Sequence, residues 1–492
     1  MANQTGNFGY DRDLSGLFDV IVGLCKDYML QYEDRDSKVI EFRSPSEISS
    51  LVDMSLPEEP VDEDRIVEQV KSVLKYSVHT NHPYCNNQLW SSGVDQVGLL
   101  GQFLTSTVHT LMYTFEMAPV FTVMEATILQ RLRQMIGWSG GEGDGIFTPG
   151  GSIANLYGLM AARYHKYPET KEKGIQHLPR LVIFGSEQCH YSNQKSAIIM
   201  GIGTEAVIKV KCDPFGKMDP VDLDKQIEEA KTKGYAPFAV VATSGSTVIG
   251  AFDPIGPIAD VCDKHNLWLH IDAAYGGGVL FSDNYRHLMA NAHRSDSITW
   301  DLHKSATVPQ QCSAILLKHK GLLAMCNSTK ASYLFQRDKQ NYDVSFDTGD
   351  KSIQCGRLND VLKLWIMWKA KGKNGFAKQM DNSIGLAKYL AKRVKERDDF
   401  ELILEPEYTN VCFWYIAPSV RGITDQNERK QKLNGIAPKI KARLMAAGTL
   451  MLGYQPLGEY PNFFRMVTTC PQGKEADMDF LLNEIKRLGK DL

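Results

Sequence analysis

Between about residue 145 and residue 320 the chain alternates short apolar runs with helical segments, and this alternation restricts the possible folds more than any other feature. The runs are RLVIFG, AVIKVK, FAVVATSG, LWLHIDAA, SITWDL and CSAILL, and between them stand helical segments such as PVDLDKQIEEAKTKG and PIGPIADVCDKHN. Strands that are apolar along their whole length are buried on both faces, and strands separated by helices are joined by crossovers. The pattern therefore predicts an α/β fold with a mostly parallel central sheet. Sites in such sheets lie beyond the carboxyl ends of the strands.

The flanking regions read differently. Residues 1 to about 60 are helical and amphipathic, and the acidic LPEEPVDED with its two prolines is a connector. In FTVMEATILQRLRQMIGW, Phe121, Met124, Ile128, Leu132 and Met135 recur at steps of three and four, the spacing of one helix face. Beyond about 370 the order becomes helix, strands, helix. FELILEPEYTNVCFWYIAP reads as paired strands, PKIKARLMAAG as a helix, NFFRMVTTC as a strand and DMDFLLNEIKRLGKDL as a closing helix. The expected division is an N-terminal helical segment over 1–100, a large domain over 101–370 and a small α+β domain over 371–492.

Bulk properties exclude several classes. The 492 residues, 43% of them hydrophobic, carry a formal net charge of -3, and no basic run tracks a phosphate backbone. Neither nucleic acid nor an anionic membrane is an expected partner. The ten cysteines form no CxxC pair and no Cys/His cluster at zinc-ligand spacing, so no metal site is expected. MANQTGNFGYDRDLSG has no basic stretch before an apolar core, and no run is long enough to insert into a membrane. A reducing, cytoplasmic setting follows as the expectation.

Chemistry concentrates at predicted strand ends. In TPGGSIANLYGLMAARY two glycines and a serine precede a helix, where free N–H groups favour an anion such as a phosphate, or simply form a turn and cap. LHIDAAYGGG places Asp272 at the end of a buried strand, where an ionised carboxylate costs several kcal/mol unless paired. It either caps the next turn or partners a buried cation. SITWDLHKSATV places Lys304 at another strand end, as a solvated charge or as an amine held for chemistry. His190 in SEQCHYSNQKS follows a strand and is either a satisfied polar residue or a planar group for a cofactor ring. A phosphate seat, an aspartate and a lysine at neighbouring strand ends are what pyridoxal phosphate chemistry requires.

With those residues in place, the chain resembles the group II pyridoxal-phosphate-dependent amino-acid decarboxylases, in the branch of glutamate decarboxylase and cysteine sulfinate decarboxylase. The likeness runs from about residue 70 to the C-terminus, through NNQL, APVFTVME, GDGIFTPGGSIAN, HYS, GAFDPI, LWLHIDAAYGG, HK, ASYLFQRDKQNYDVSFDTGD, IQCGR, EPEYTNVCFWYI and NFFRMV. The resemblance implies fold type I, an obligate homodimer with sites at the interface, and pyridoxal 5'-phosphate as cofactor. It makes Lys304 the Schiff-base lysine, Asp272 the partner of the ring nitrogen and His190 the stacking residue. Gly151 and Ser152 hold the phosphate, with Thr243, Ala274 and His303 beside the cofactor, and Cys355 reaches the phosphate of the other subunit. Arg465 grips the acidic side chain of the substrate, Gln88 and Trp90 line the same end, and Tyr333 lies on a mobile loop as the proton donor to Cα. A guanidinium suits a carboxylate or sulfinate because it binds both oxygens at once.

Four departures stand out. The family's Asn-Pro-His-Lys is here Asp301-Leu302-His303-Lys304, so a charge lies near the lysine that either alters its protonation or forms a salt bridge. Tyr275 replaces the usual Trp, Tyr84-Cys85 replaces a Phe pair, and Leu111 stands where glutamate decarboxylases carry a polar residue. Trp90 would shorten the pocket, toward aspartate or cysteine sulfinate, whereas LTSTVHTLMYTFEMAPVF and DKQNYDVSFDTGD look closer to glutamate decarboxylase. The expectation is α-decarboxylation of an acidic amino acid, with glutamate first and cysteine sulfinate or aspartate as alternatives. An aromatic amino-acid decarboxylase and a catalytically weakened protein of the same fold are further alternatives.

Overall fold

The computed structural model describes residues 14–86, 93–336, 338–339 and 341–492. Seven strands form the large sheet: β2 (Asp144–Thr148), β3 (Leu181–Ser186), β4 (Val207–Val210), β5 (Ala236–Thr243), β6 (Trp268–Asp272), β7 (Ser297–Asp301) and β8 (Ser313–Leu317). Their order is β2-β8-β7-β6-β5-β3-β4, and only the pairs that involve β8 are antiparallel. The α/β class with a mostly parallel sheet is therefore correct. Every residue of β3, β6, β7 and β8 is buried, as uniformly apolar strands require.

Both faces of the sheet are covered. On one face the helix Pro119–Ile136 buries Ile128, Leu132 and Met135 against Trp300 and Leu316 of the same apolar cluster. On the other the helix Gly151–Lys166 packs Leu156, Tyr157 and Leu159 with Ile183 and Ile315. The long helix Val361–Lys395 is interrupted at Gly372, whose φ of 61° only glycine adopts readily. The expected boundary at 370/371 falls beside this break.

A second sheet has the order β1-β11-β12-β10-β9, formed by β1 (Cys85–Asn86), β9 (Phe400–Leu402), β10 (Asn410–Tyr415), β11 (Met451–Leu457) and β12 (Tyr460–Val467). The helices Gln426–Ala447 and Glu475–Gly489 contribute Ile440, Leu481 and Ile485 to its core. β1 joins this sheet in parallel with β11, Cys85 opposite Met451, so the N-terminal region is stitched to the C-terminal one. No described helix is long and apolar enough to cross a membrane.

Candidate active site

β5, β6 and β7 are parallel neighbours, and their carboxyl ends bring Thr243, Asp272 and Asp301 to one edge of the sheet. A narrow cleft opens there. It is lined by Gly151, His190, Thr243, Asp272, Ala274 and Lys304 from the predicted set, and by Asn155, Gly245, Thr247 and Tyr275. Lys304 and Asp272, 32 residues apart in the chain, thus share one small cavity.

Asp272 is buried but well satisfied. One oxygen accepts from Asn155 Nδ2 at 2.8 Å and the other from the Ala274 amide at 3.1 Å. Asn155 also donates to Ser192 Oγ at 2.9 Å, and its own oxygen lies 3.0 Å from His270 Nε2. Burial drives the His270 imidazole down to about 4. Its other nitrogen lies 2.7 Å from Ser297 Oγ. A chain of side chains therefore runs from the sheet interior to the Asp272 carboxylate and fixes its direction.

Lys304 sits in the turn that leaves β7. Its amine lies 3.1 Å from Asp301 Oδ2. His303, one residue earlier, turns inward: its Nδ1 is within 3.2 Å of the Cys312 amide and of Ser313 Oγ, and it pins the turn instead of lining the cleft. Burial lowers its pKa from the ordinary histidine value. His190 follows β3, and its Nδ1 lies 2.9 Å from Ser192 Oγ. Burial lowers its pKa too, against the pull of the Asp272 charge.

The helix Gly151–Lys166 starts at the cleft. Gly150 takes φ of 99°, which allows the sharp turn from β2 into the helix. A Cβ on Gly151 would lie 2.5 Å from Asp301 Oδ2, so any side chain there would displace the Asp301 carboxylate. Ser152, the next residue, is exposed and lies outside the cleft lining. Thr243 Oγ1 and Asp301 Oδ1 are buried with no hydrogen-bond partner among the described residues.

Arg465 stands on β12 and spans the two sheets: its NH1 donates to the Thr247 carbonyl at 2.9 Å, and Thr247 lines the cleft. Its Nε is buried without a partner among the described residues. Burial lowers its pKa from the ordinary arginine value.

Two further predicted residues are exposed. Tyr333 is 80% exposed, and Cys355 is exposed as well. The segment that carries them is nonetheless anchored. Asp350 accepts from the hydroxyl of Ser328 and the Thr329 amide, and Arg357 forms a buried two-pronged pair with Glu125 at 2.6 and 2.9 Å. Gln88 and Trp90 fall outside the described residues.

Sequence reasoning assigned no role to Asn155, Thr247 or Gly245. Asn155 had a usable signal: it follows Gly151 by four residues, one helical turn, and so shares its face.

A family model described as the pyridoxal-dependent decarboxylase conserved domain matches residues 45–416. The crystal structure of mouse CSAD, a cysteine sulfinic acid decarboxylase, is 45% identical with a TM-score of 0.94, over 97% of this chain and 99% of that chain. The same mouse protein in apo form gives 44% identity and a TM-score of 0.93, with the same coverage. Oryza sativa TDC, solved with PLP and tryptamine, is 22% identical with a TM-score of 0.86, over 99% of each chain, and shares the fold.

Proposed function

The chain belongs to the pyridoxal-dependent decarboxylase family, and from that premise we propose that it removes the α-carboxyl of cysteine sulfinate, with glutamate as the second reading. It is a pyridoxal 5'-phosphate-dependent decarboxylase of acidic amino acids. Cysteine sulfinate comes first because the likeness to mouse CSAD extends over nearly the whole chain. Glutamate stays in view because DKQNYDVSFDTGD and the segment before Pro119 look like those of glutamate decarboxylase.

One observation carries the acidic reading. Arg465 is half-buried with its Nε fully enclosed, is tied to the rim of the cleft through Thr247, and pairs with no carboxylate among the described residues. A guanidinium with an enclosed orphan Nε is costly, and a carboxylate or sulfinate on the substrate satisfies it through two oxygens.

The residues at the cleft also fit the cofactor: an amine, a fixed carboxylate, the start of a 16-residue helix and an orphan hydroxyl face one cavity. When bound, the cofactor draws off the electron pair left as carbon dioxide departs. Lys304 supplies the amine for covalent attachment. Asp272, its direction fixed by Asn155, holds the proton on the ring nitrogen. His190 offers a planar face to the ring. The start of the helix at Gly151 and Ser152 would hold the phosphate, with Thr243 and Ala274 beside it, while His303 would act from behind the lining by fixing the turn. Tyr333 would supply the proton to Cα, reaching the cleft of the other copy in the homodimer.

The same reading assigns a homodimer in which Cys355 reaches the cofactor seat of the other copy. Support comes from exposed apolar side chains on Ser15–Leu30, on Gln96–Val108 and just beyond, including Phe18, Leu100, Phe103, Leu111 and Val120. A patch of this kind marks a protein–protein surface.

Turnover of cysteine sulfinate, glutamate, aspartate and tyrosine by the purified protein tests the assignment. The sulfinate is expected to give the highest kcat/KM, and preference for tyrosine would refute the acidic reading. A single methylene changes specificity by only ~1–3 kcal/mol, so the acidic substrates will overlap. Arg465→Met should keep the cofactor absorbance and cost ~2–5 kcal/mol of substrate binding, roughly 30- to 5000-fold in kcat/KM. Unchanged kinetics would remove Arg465 from the role.

A further inference from the structure

Two carboxylates stand near Lys304 in different situations: Asp272 lines the cleft, and Asp301 lies behind its lining. Asp272 is satisfied by Asn155 and the Ala274 amide and forms no ion pair among the described residues. Asp301, the last residue of β7, is 1% exposed, and its Oδ2 lies 3.1 Å from the Lys304 amine. Its other oxygen has no partner among the described residues. The carboxylate occupies the space that the missing side chain of Gly151 leaves: a Cβ there would stand 2.5 and 2.8 Å from its two oxygens. The backbone reinforces the arrangement, since the Lys304 amide donates to the Asp301 carbonyl at 3.1 Å.

An amine turned toward a carboxylate at 3.1 Å is not directed at a cofactor carbon, and only a free, neutral amine attacks an aldehyde. To be joined to the cofactor, Lys304 must leave Asp301 and release one proton to solvent. Its nitrogen then forms a double bond to the aldehyde carbon, the two remaining amine protons leave with the aldehyde oxygen as water, and no electrons are exchanged. We propose that Asp301 is a positioning residue that clamps the Lys304 amine, so that release of this ion pair limits the rate at which the protein captures its cofactor. The inference rests on the reading of Lys304 as the cofactor-bearing residue. The other charged groups around the pair are accounted for: Asp272 is occupied, His190 lies on the loop after β3, and His303 Nε2 is 3.9 Å from Asp301 Oδ2 with its other nitrogen engaged at Cys312. Lys195 acts on His190, and Lys363 and Asp360, paired at 2.8 Å, lie on the His303 side.

The test uses full-length protein stripped of cofactor and mixed with pyridoxal 5'-phosphate. Attachment is followed by absorbance and by mass after borohydride trapping, so turnover is not the readout. Asp301→Asn keeps the shape and removes the charge, and should capture the cofactor about tenfold faster at pH 7. The gap should narrow as the pH is raised, because an ion pair needs a charged amine. Asp301→Ser should accelerate capture in the same way, which guards against misfolding of one variant. Equal or slower capture by both variants, or a ratio that does not change with pH, would overturn the clamp. Trapping of the cofactor in Lys304→Ala to the wild-type extent would instead overturn the assignment of Lys304, and the two failures are therefore distinguishable.

Discussion

The ends of β5, β6 and β7 and the segment from Ser328 to Leu358 both carry residues assigned to the reaction, yet they are built on opposite plans. At the strand ends, buried side chains hold one another in place: His270 orients Asn155, Asn155 orients Asp272, and Asp301 fills the space beside Gly151. In the outer segment the anchors are buried, at Asp350 and at Arg357–Glu125, while Tyr333, Cys355, Ile353 and Leu358 face outward. The contrast teaches that the residues at the strand ends are held by one another within one chain, whereas Tyr333 and Cys355 in the outer segment are exposed. In the proposed homodimer a second copy would receive them.

The largest effect falls on the floor. Asp272→Asn removes the charge that holds the ring proton and should lower kcat by about 100- to 1000-fold or more, with the chain still folded. Full activity would mean that Asp272 only caps the turn after β6.

Mixing variants sharpens the comparison further. Lys304→Ala and Tyr333→Phe chains are each expected to be inactive or nearly so. If floor and outer segment serve one another across a twofold interface, a co-expressed mixture should recover roughly a quarter of wild-type activity, because half of the dimers carry one intact site. No recovery would place Tyr333 in the service of its own chain.

The anchors can be tested apart from the chemistry. Burial alone would raise the Glu125 carboxyl, but the charge and hydrogen bonds of Arg357 outweigh it and hold the carboxyl below its usual range. Glu125→Gln leaves the Arg357 charge buried and uncompensated, which should cost ~3–5 kcal/mol of stability in a urea titration. A loss no larger than at a surface position would show that the pair does not hold the outer segment to the sheet.

The smallest effect concerns pH. His270 sits at about 4 in the folded chain against an ordinary 6.5, so the unfolded chain takes up its proton first on acidification. Its contribution to stability is therefore complete above 6.5 and is lost as the pH falls toward 4. In thermal unfolding between pH 4 and 7, His270→Gln should flatten this slope, and an unchanged slope would contradict the buried neutral imidazole.

Much of the floor was legible from residue order. Uniformly apolar runs ending in Asp272 and in Asp301-Leu302-His303-Lys304 place titratable groups at strand ends, and parallel pairing brings such ends together. The reversed direction of β8 was not legible, because CSAILL reads the same whichever way the strand runs. DGIFT is too short and glycine-containing to stand out as a strand, yet it forms β2 against β8. β11 carries glycine and proline within it, and only pairing with β12 and β1 makes it a strand. The inward turn of His303 depends on Cys312 and Ser313, which the chain reaches only after another loop.

The central claim is that Lys304 carries the cofactor above a floor that Asp272 completes. Borohydride reduction of the cofactor-loaded protein, followed by peptide mass mapping, tests it most directly. The account predicts the cofactor mass on the peptide that contains Lys304 and none in Lys304→Ala; the same mass on a different lysine, or an unmodified Lys304 peptide from fully active protein, would contradict it.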